Sequence, residues 1–244
     1  MFVTGYSERG LLNSLIYEIR YSDQPVKLLE KLFSLFNFPF NNPVLLPIDE
    51  AEMLIEQSFS DFGDADLVFL IKSKGKKYSI FTEAKVKNYR GIHREYQKFI
   101  EKIDSKVASS NIFVQLYFKV RLTSALKFGI KKLEDGVEFP ASSSKPSAST
   151  PVRKIGQNKV VLKAINLLKN FIDETYYITI LPDEENLLED FYKKILKNSS
   201  PNLYVEWNTM NYGYVSWNKI EQFCRDNNLR NTLKLFEYNK GLIY

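Results

Sequence analysis

Two apolar segments close together in the chain constrain its fold most: "ADLVFLI" at residues 65–71 and "KYSIFTEAKV" at residues 77–86, joined by a lysine-rich tip around Lys74-Gly75. Both have the aromatic and β-branched content of strands, and so short a connection allows only an antiparallel hairpin. A two-residue turn at Lys74-Gly75 pairs Ser73 with Lys76. Ile71 then faces Tyr78, and Asp66 faces Glu83 with both side chains on one face of the sheet. Like charges directly opposed destabilise a sheet, so this register asks for a cation in the gap. Two carboxylates and a backbone carbonyl make a hard-oxygen site suited to Mg²⁺ or Mn²⁺. Lys85, two residues beyond Glu83, shares its face and is placed to reach a water bound there. The bland alternative is an ordinary surface hairpin whose acids are tied to neighbouring lysines.

A third acid stands at the start of a predicted helix over residues 8–20, "ERGLLNSLIYEIR". Leu11, Leu12, Leu15, Ile16 and Ile19 form its apolar stripe, and Glu8 lies at the end of that stripe. An acid in a first helical turn gains about 0.3–1 kcal/mol from the helix dipole. That explains the position but not the inward orientation, which a metal site would explain.

Further along, the patterns predict a helix over 25–36, a short helix or turn over 49–57, a helix over 91–107, a third strand over 112–120 and a helix over 122–133. After them come a helix over 157–173, a strand over 176–181, a helix over 183–197, then a strand pair and a final helix. The run "PASSSKPSASTP" at 140–151 is too polar and proline-rich to bury much. It suggests a division into a core at 1–135, a loop or linker at 136–155 and a C-terminal α+β part at 156–244. The expected class is α/β.

Composition narrows the function. Hydrophobic residues at 44% and charged residues at 26% are enough for a real core rather than a disordered chain. One cysteine and one histidine leave no material for a cysteine-based zinc site or a Ser-His-Asp arrangement, and no phosphate-binding glycine motif is present. No apolar run has the length of a membrane span, and "MFVTGYSERGLL" lacks the pattern of a signal peptide, so a cytoplasmic protein is expected. Between Lys72 and Lys106 there are eleven basic residues against four acids, a surface that attracts phosphate.

A helix acid, an Asp opening a strand and Glu-x-Lys on the next strand together resemble the PD-(D/E)XK nuclease superfamily. The pieces are Glu8 in "SERGLLNSLIYEI", Asp66 in "GDADLVFLI", and Glu83 and Lys85 in "FTEAKV"; Ala65 stands where the family name places proline. The resemblance covers roughly the first 120 residues. It implies a restriction-endonuclease-like core, a mixed central sheet flanked by helices. It implies Mg²⁺ or Mn²⁺ held by Asp66, Glu83 and the backbone carbonyl of Ala84, with Glu8 on a second ion or an attached water. Lys85 would orient or deprotonate the attacking water.

The resulting expectation is a Mg²⁺-dependent endonuclease acting on DNA, in restriction, defence or repair. The alternatives are an RNA-cutting enzyme on the same core, or a non-catalytic nucleic-acid- or protein-binding module. A homodimer or a defence-system protein is the expected protein partner. Secondary candidates are Gln97 on the following helix, Glu56 and Asp64 as substitute acids, His93, and the aromatic group Tyr204, Trp207, Tyr212, Tyr214 and Trp217, which packs in a core more often than it stacks on bases.

Overall fold

The computed structural model describes residues 7–43, 45–86, 89–102, 111–128, 155–196 and 211–243. Its centre is a five-stranded sheet in sequence order: β1 (Glu50–Ser58), β2 (Asp64–Ser73), β3 (Lys76–Ala84), β4 (Glu174–Leu181) and β5 (Tyr212–Ser216). β1, β2 and β3 pair antiparallel, whereas β3–β4 and β4–β5 are parallel. The hairpin has the expected register, with Ser73 opposite Lys76 and Ile71 opposite Tyr78. Lys74 (φ 49°) and Gly75 (φ 75°) both take the left-handed conformation that a two-residue hairpin turn needs. The strained Lys74 is held by a bond from its N–H to Asp49 Oδ2 at 2.9 Å.

Helices cover both faces. α1 (Glu8–Arg20) and α2 (Pro25–Phe33) precede the sheet. α3 (Ile92–Lys102), α4 (Ile112–Phe128) and α5 (Lys159–Lys169) lie between β3 and β4. α6 (Glu185–Asp190) continues as a π-helical turn over Phe191–Leu196 and leads to β5; α7 (Trp217–Asp226) and α8 (Arg230–Tyr238) follow it. Strand alternation sorts the core in two. Leu67, Phe69, Tyr78, Ile80 and Ile178 pack under Leu11, Leu15, Leu29 and Trp217. Val68, Leu70, Phe81 and Tyr177 pack under Phe99, Phe113, Leu116 and Phe191. Burial on both faces is why β2 reads as a continuous apolar run. Among the described residues no helix is long and apolar enough to cross a membrane.

Three local expectations are corrected. Residues 49–57 are not a helix or turn but the edge strand β1, whose Ala, Glu and Met content misleads because pairing with β2 outweighs propensity. Residues 112–120 are not a strand but the first half of α4, capped by Asn111, whose Oδ1 accepts from Phe113 N at 2.9 Å and Val114 N at 3.2 Å. A helix apolar on all sides has no usable period, and only its length distinguishes it from a buried strand. Near the C-terminus, residues 203–210 of the predicted strand pair lie outside the described residues; after the strand β5, two helices stand where one was expected. The Ser/Pro-rich run lies outside the described residues, and strands from before and after it share one sheet.

Candidate active site at the open end of the hairpin

The β2–β3 ladder ends at the pair Leu67–Thr82. One step further in the same register stand Asp66 and Glu83, and here side chains replace the ladder. The N–H of Ala84 donates to Asp66 Oδ2 at 2.9 Å. In an extended strand its C=O leaves by the same edge, toward β2. Asp66, only 3% exposed, also accepts from Arg9 Nε at 3.1 Å through Oδ1. Arg9 Nη1 lies 3.8 Å from Glu56 Oε2, and Asn13 Nδ2 donates to Glu56 Oε1 at 2.7 Å. Glu56 (φ 49°) sits between the pairs Ile55–Leu67 and Gln57–Ala65, on the far side of Asp66 from Glu83.

Glu83 is fully buried, and among the described residues neither carboxylate oxygen has a hydrogen-bond partner. The nearest cation is Lys119 of α4, also fully buried, with Nζ 3.6 Å from Oε1. Lys119 donates to the carbonyls of Phe62 and Asp64, both at 2.9 Å. These carbonyls converge because Gly63 between them adopts φ 75°, ψ 173°, a conformation open essentially to glycine alone. On β4, Thr179 is the register neighbour of Glu83, and its hydroxyl is bonded to Tyr192 Oη at 2.7 Å. Burial holds the Glu83 carboxyl above the usual carboxylate range; Lys119 opposes that rise, Asp66 adds to it, and Lys85 also opposes it. Burial likewise holds the Lys119 ammonium below the usual lysine range, against Glu83, Asp64 and Asp66.

Asp66, Glu83 and Lys85 are thus gathered at one end of the sheet. Lys85 is half-buried; its N–H donates to Ile180 O at 2.9 Å and its C=O accepts from Trp217 Nε1 at 2.7 Å, so its backbone is pinned from two sides. Glu8 is half-buried in the first turn of α1, but it is the neighbouring Arg9 that reaches Asp66. Among the described residues no three His, Cys, Asp or Glu side chains gather around one point, so two carboxylates and the Ala84 carbonyl are the donors at hand for an ion.

Asp64 is exposed and contributes its carbonyl to Lys119. Gln97 and His93 are exposed on α3, His93 lying edge-on to Phe191 at 5.2 Å. Tyr212, Tyr214 and Trp217 are buried in the core, and Tyr204 and Trp207 lie outside the described residues. The basic run is divided. Lys72, Lys76 and Lys77 sit at the hairpin tip, about 20 Å along the strand from Asp66. There they face Glu50 at 2.5 Å, Glu174 at 2.8 Å and the Phe171 ring at 5.9 Å. Arg90, Arg94 and Lys98 lie instead on or just before α3; Lys87 and Lys106 fall outside the described residues.

Arg9 and Lys119 are the residues that sequence reasoning missed. For Lys119 a signal exists: it is the only charge in "IFVQLYFKV", and a charge in an all-round apolar helix needs a buried partner. Comparison of the chain with protein-family models, curated proteins and solved structures finds no match.

Proposed function

We propose that this protein is a divalent-metal-dependent nuclease that hydrolyses DNA phosphodiester bonds at the Asp66–Glu83 pair. One observation carries the reading: Glu83 is wholly buried with two unpartnered oxygens, beside a second buried carboxylate on the adjacent strand. Leaving such a group unsatisfied costs about 1–3 kcal/mol or more, and a cation removes that cost. Asp66, Glu83 and the Ala84 carbonyl offer the hard oxygens that Mg²⁺ or Mn²⁺ takes. Bound there, the ion supplies polarisation of the scissile phosphate and acidifies the attacking water.

Lys85, on the strand face of Glu83, orients that water or takes its proton. Its pinned backbone keeps it in place for either task. Glu8, in the first turn of α1, would hold a second ion or a water attached to it. The mixed sheet flanked by helices supports a restriction-endonuclease-like core. Cutting both strands of a duplex would use two such centres, hence two copies of the chain.

A second reading rests on Lys119. The Glu83–Lys119 pair is sealed from solvent, as structural ion pairs are, and in this reading the chain is a non-catalytic nucleic-acid- or protein-binding module. The deciding experiment offers plasmid, single-stranded DNA and RNA to the wild type, Asp66→Ala and Lys85→Ala, with Mg²⁺ or Mn²⁺. Cutting that needs the divalent ion and falls by about 100-fold or more in both variants is expected. Identical background in all three proteins on all substrates favours the binding module.

A further inference from the structure

Lys119 has three N–H donors and no acceptor. Two donors are spent on the carbonyls of Phe62 and Asp64, at 2.9 Å each. The third side of the ammonium faces Glu83 Oε1 at 3.6 Å, too far for a hydrogen bond and close enough for a strong charge interaction. The cradle around it is built: Gly63 turns at φ 75°, a conformation that favours glycine, and so aims the two flanking carbonyls at Nζ. Both side chains of the pair are 0% exposed. The carboxylate therefore keeps its two oxygens free of hydrogen bonds while its charge is balanced from one side.

We infer that Lys119 is a resident counter-ion and positioning residue for Glu83. It holds that carboxylate in place without metal, and it competes with a divalent cation for the same charge. The inference rests on the metal-holding part of the proposed function, not on the cleavage step. Replacing the ammonium by a neutral group removes the competitor and leaves Glu83 a buried carboxyl that only a cation or a proton can neutralise. Gln at 119 keeps a donor for the two carbonyls.

The test is Mn²⁺ binding by calorimetry, together with thermal melting with and without Mn²⁺, on the wild type, Lys119→Gln, Lys119→Arg and the double variant Glu83→Gln/Lys119→Gln. Lys119→Gln is expected to melt lower than wild type without metal, to bind Mn²⁺ about tenfold or more tighter, and to gain more from it on melting. Lys119→Arg keeps the charge and is expected to bind no tighter than wild type. The double variant is expected to regain stability and to lose the Mn²⁺ response. Should Lys119→Gln not fold alone, Mn²⁺ or the Glu83→Gln change must rescue it; rescue by neither overturns the inference. Binding by Lys119→Gln no tighter than by wild type also overturns it, even where the wild type cuts DNA. Tighter binding with no cleavage by any variant supports it and removes the nuclease reading instead.

Discussion

At the residue scale, a carboxylate's surroundings decide whether its charge stabilises this fold or burdens it. Glu174 is the opposite of Glu83. It is only partly buried and accepts from Lys76 Nζ at 2.8 Å and Tyr176 Oη at 3.0 Å. The bond from Lys76 chiefly holds its carboxyl below the usual range. A depressed carboxylate pKa means that the stability it adds is present above the unfolded-state pKa and lost as pH falls through the folded one. Glu174→Gln is therefore expected to unfold at lower urea than wild type at pH 7. The two proteins should converge in acid, and the gap at pH 7 should shrink with salt because Lys76 is fully exposed. Urea titrations across pH check this. At this scale the sequence was informative where alternation applied: the Asp66–Glu83 opposition follows from the turn at Lys74-Gly75. The lone charge at Lys119 was visible in its apolar segment, but what Lys119 and Arg9 touch was not legible, because it is set by packing between elements far apart in the chain.

At the element scale, α1 brings its first turn to the open end of the hairpin. Ser7 caps it, its Oγ accepting from Gly10 N at 2.8 Å, and Leu11, Leu15 and Ile19 anchor it on the sheet. Ser7→Ala is expected to cost about 0.5–2 kcal/mol by thermal or urea unfolding. Amide exchange should quicken first over residues 8–11, the turn that carries Glu8 and Arg9. α1 was legible because its apolar residues recur with the helical period, and the Ser7 cap and last-turn Arg20 agree with it in the structure. β1 and α4 were not. The first is an edge strand with helix-forming residues; the second is a helix whose apolar residues lie all round it. In both, tertiary contacts rather than local preference choose the structure.

At the scale of the whole molecule, β3 is the middle strand, with β2 on one side and β4 on the other. A chain ending at residue 135 would lack β4 and β5. It would leave buried residues such as Ile80 and Phe81 on an open edge. Such a fragment is expected to show no cooperative melting by circular dichroism, whereas the full chain melts in one transition. Composition marks the polar run at 140–151, but a polar run says nothing about sheet continuity, and parallel pairing between strands so far apart leaves no local trace.

The outer edge of β5 is closed by the segment after α2. Asn37 and Tyr214 exchange both backbone bonds at 3.0 Å, and the Phe38 ring lies so near Gly213 that a Cβ there would stand 2.6 Å from it. The partners are 177 positions apart. On a ribosome the early half of this clasp emerges roughly 10–35 s before the late half, at ordinary rates of synthesis. Throughout that interval Asn37 and Phe38 stand without the strand they clasp, which makes the nascent chain a client for whatever shields growing chains.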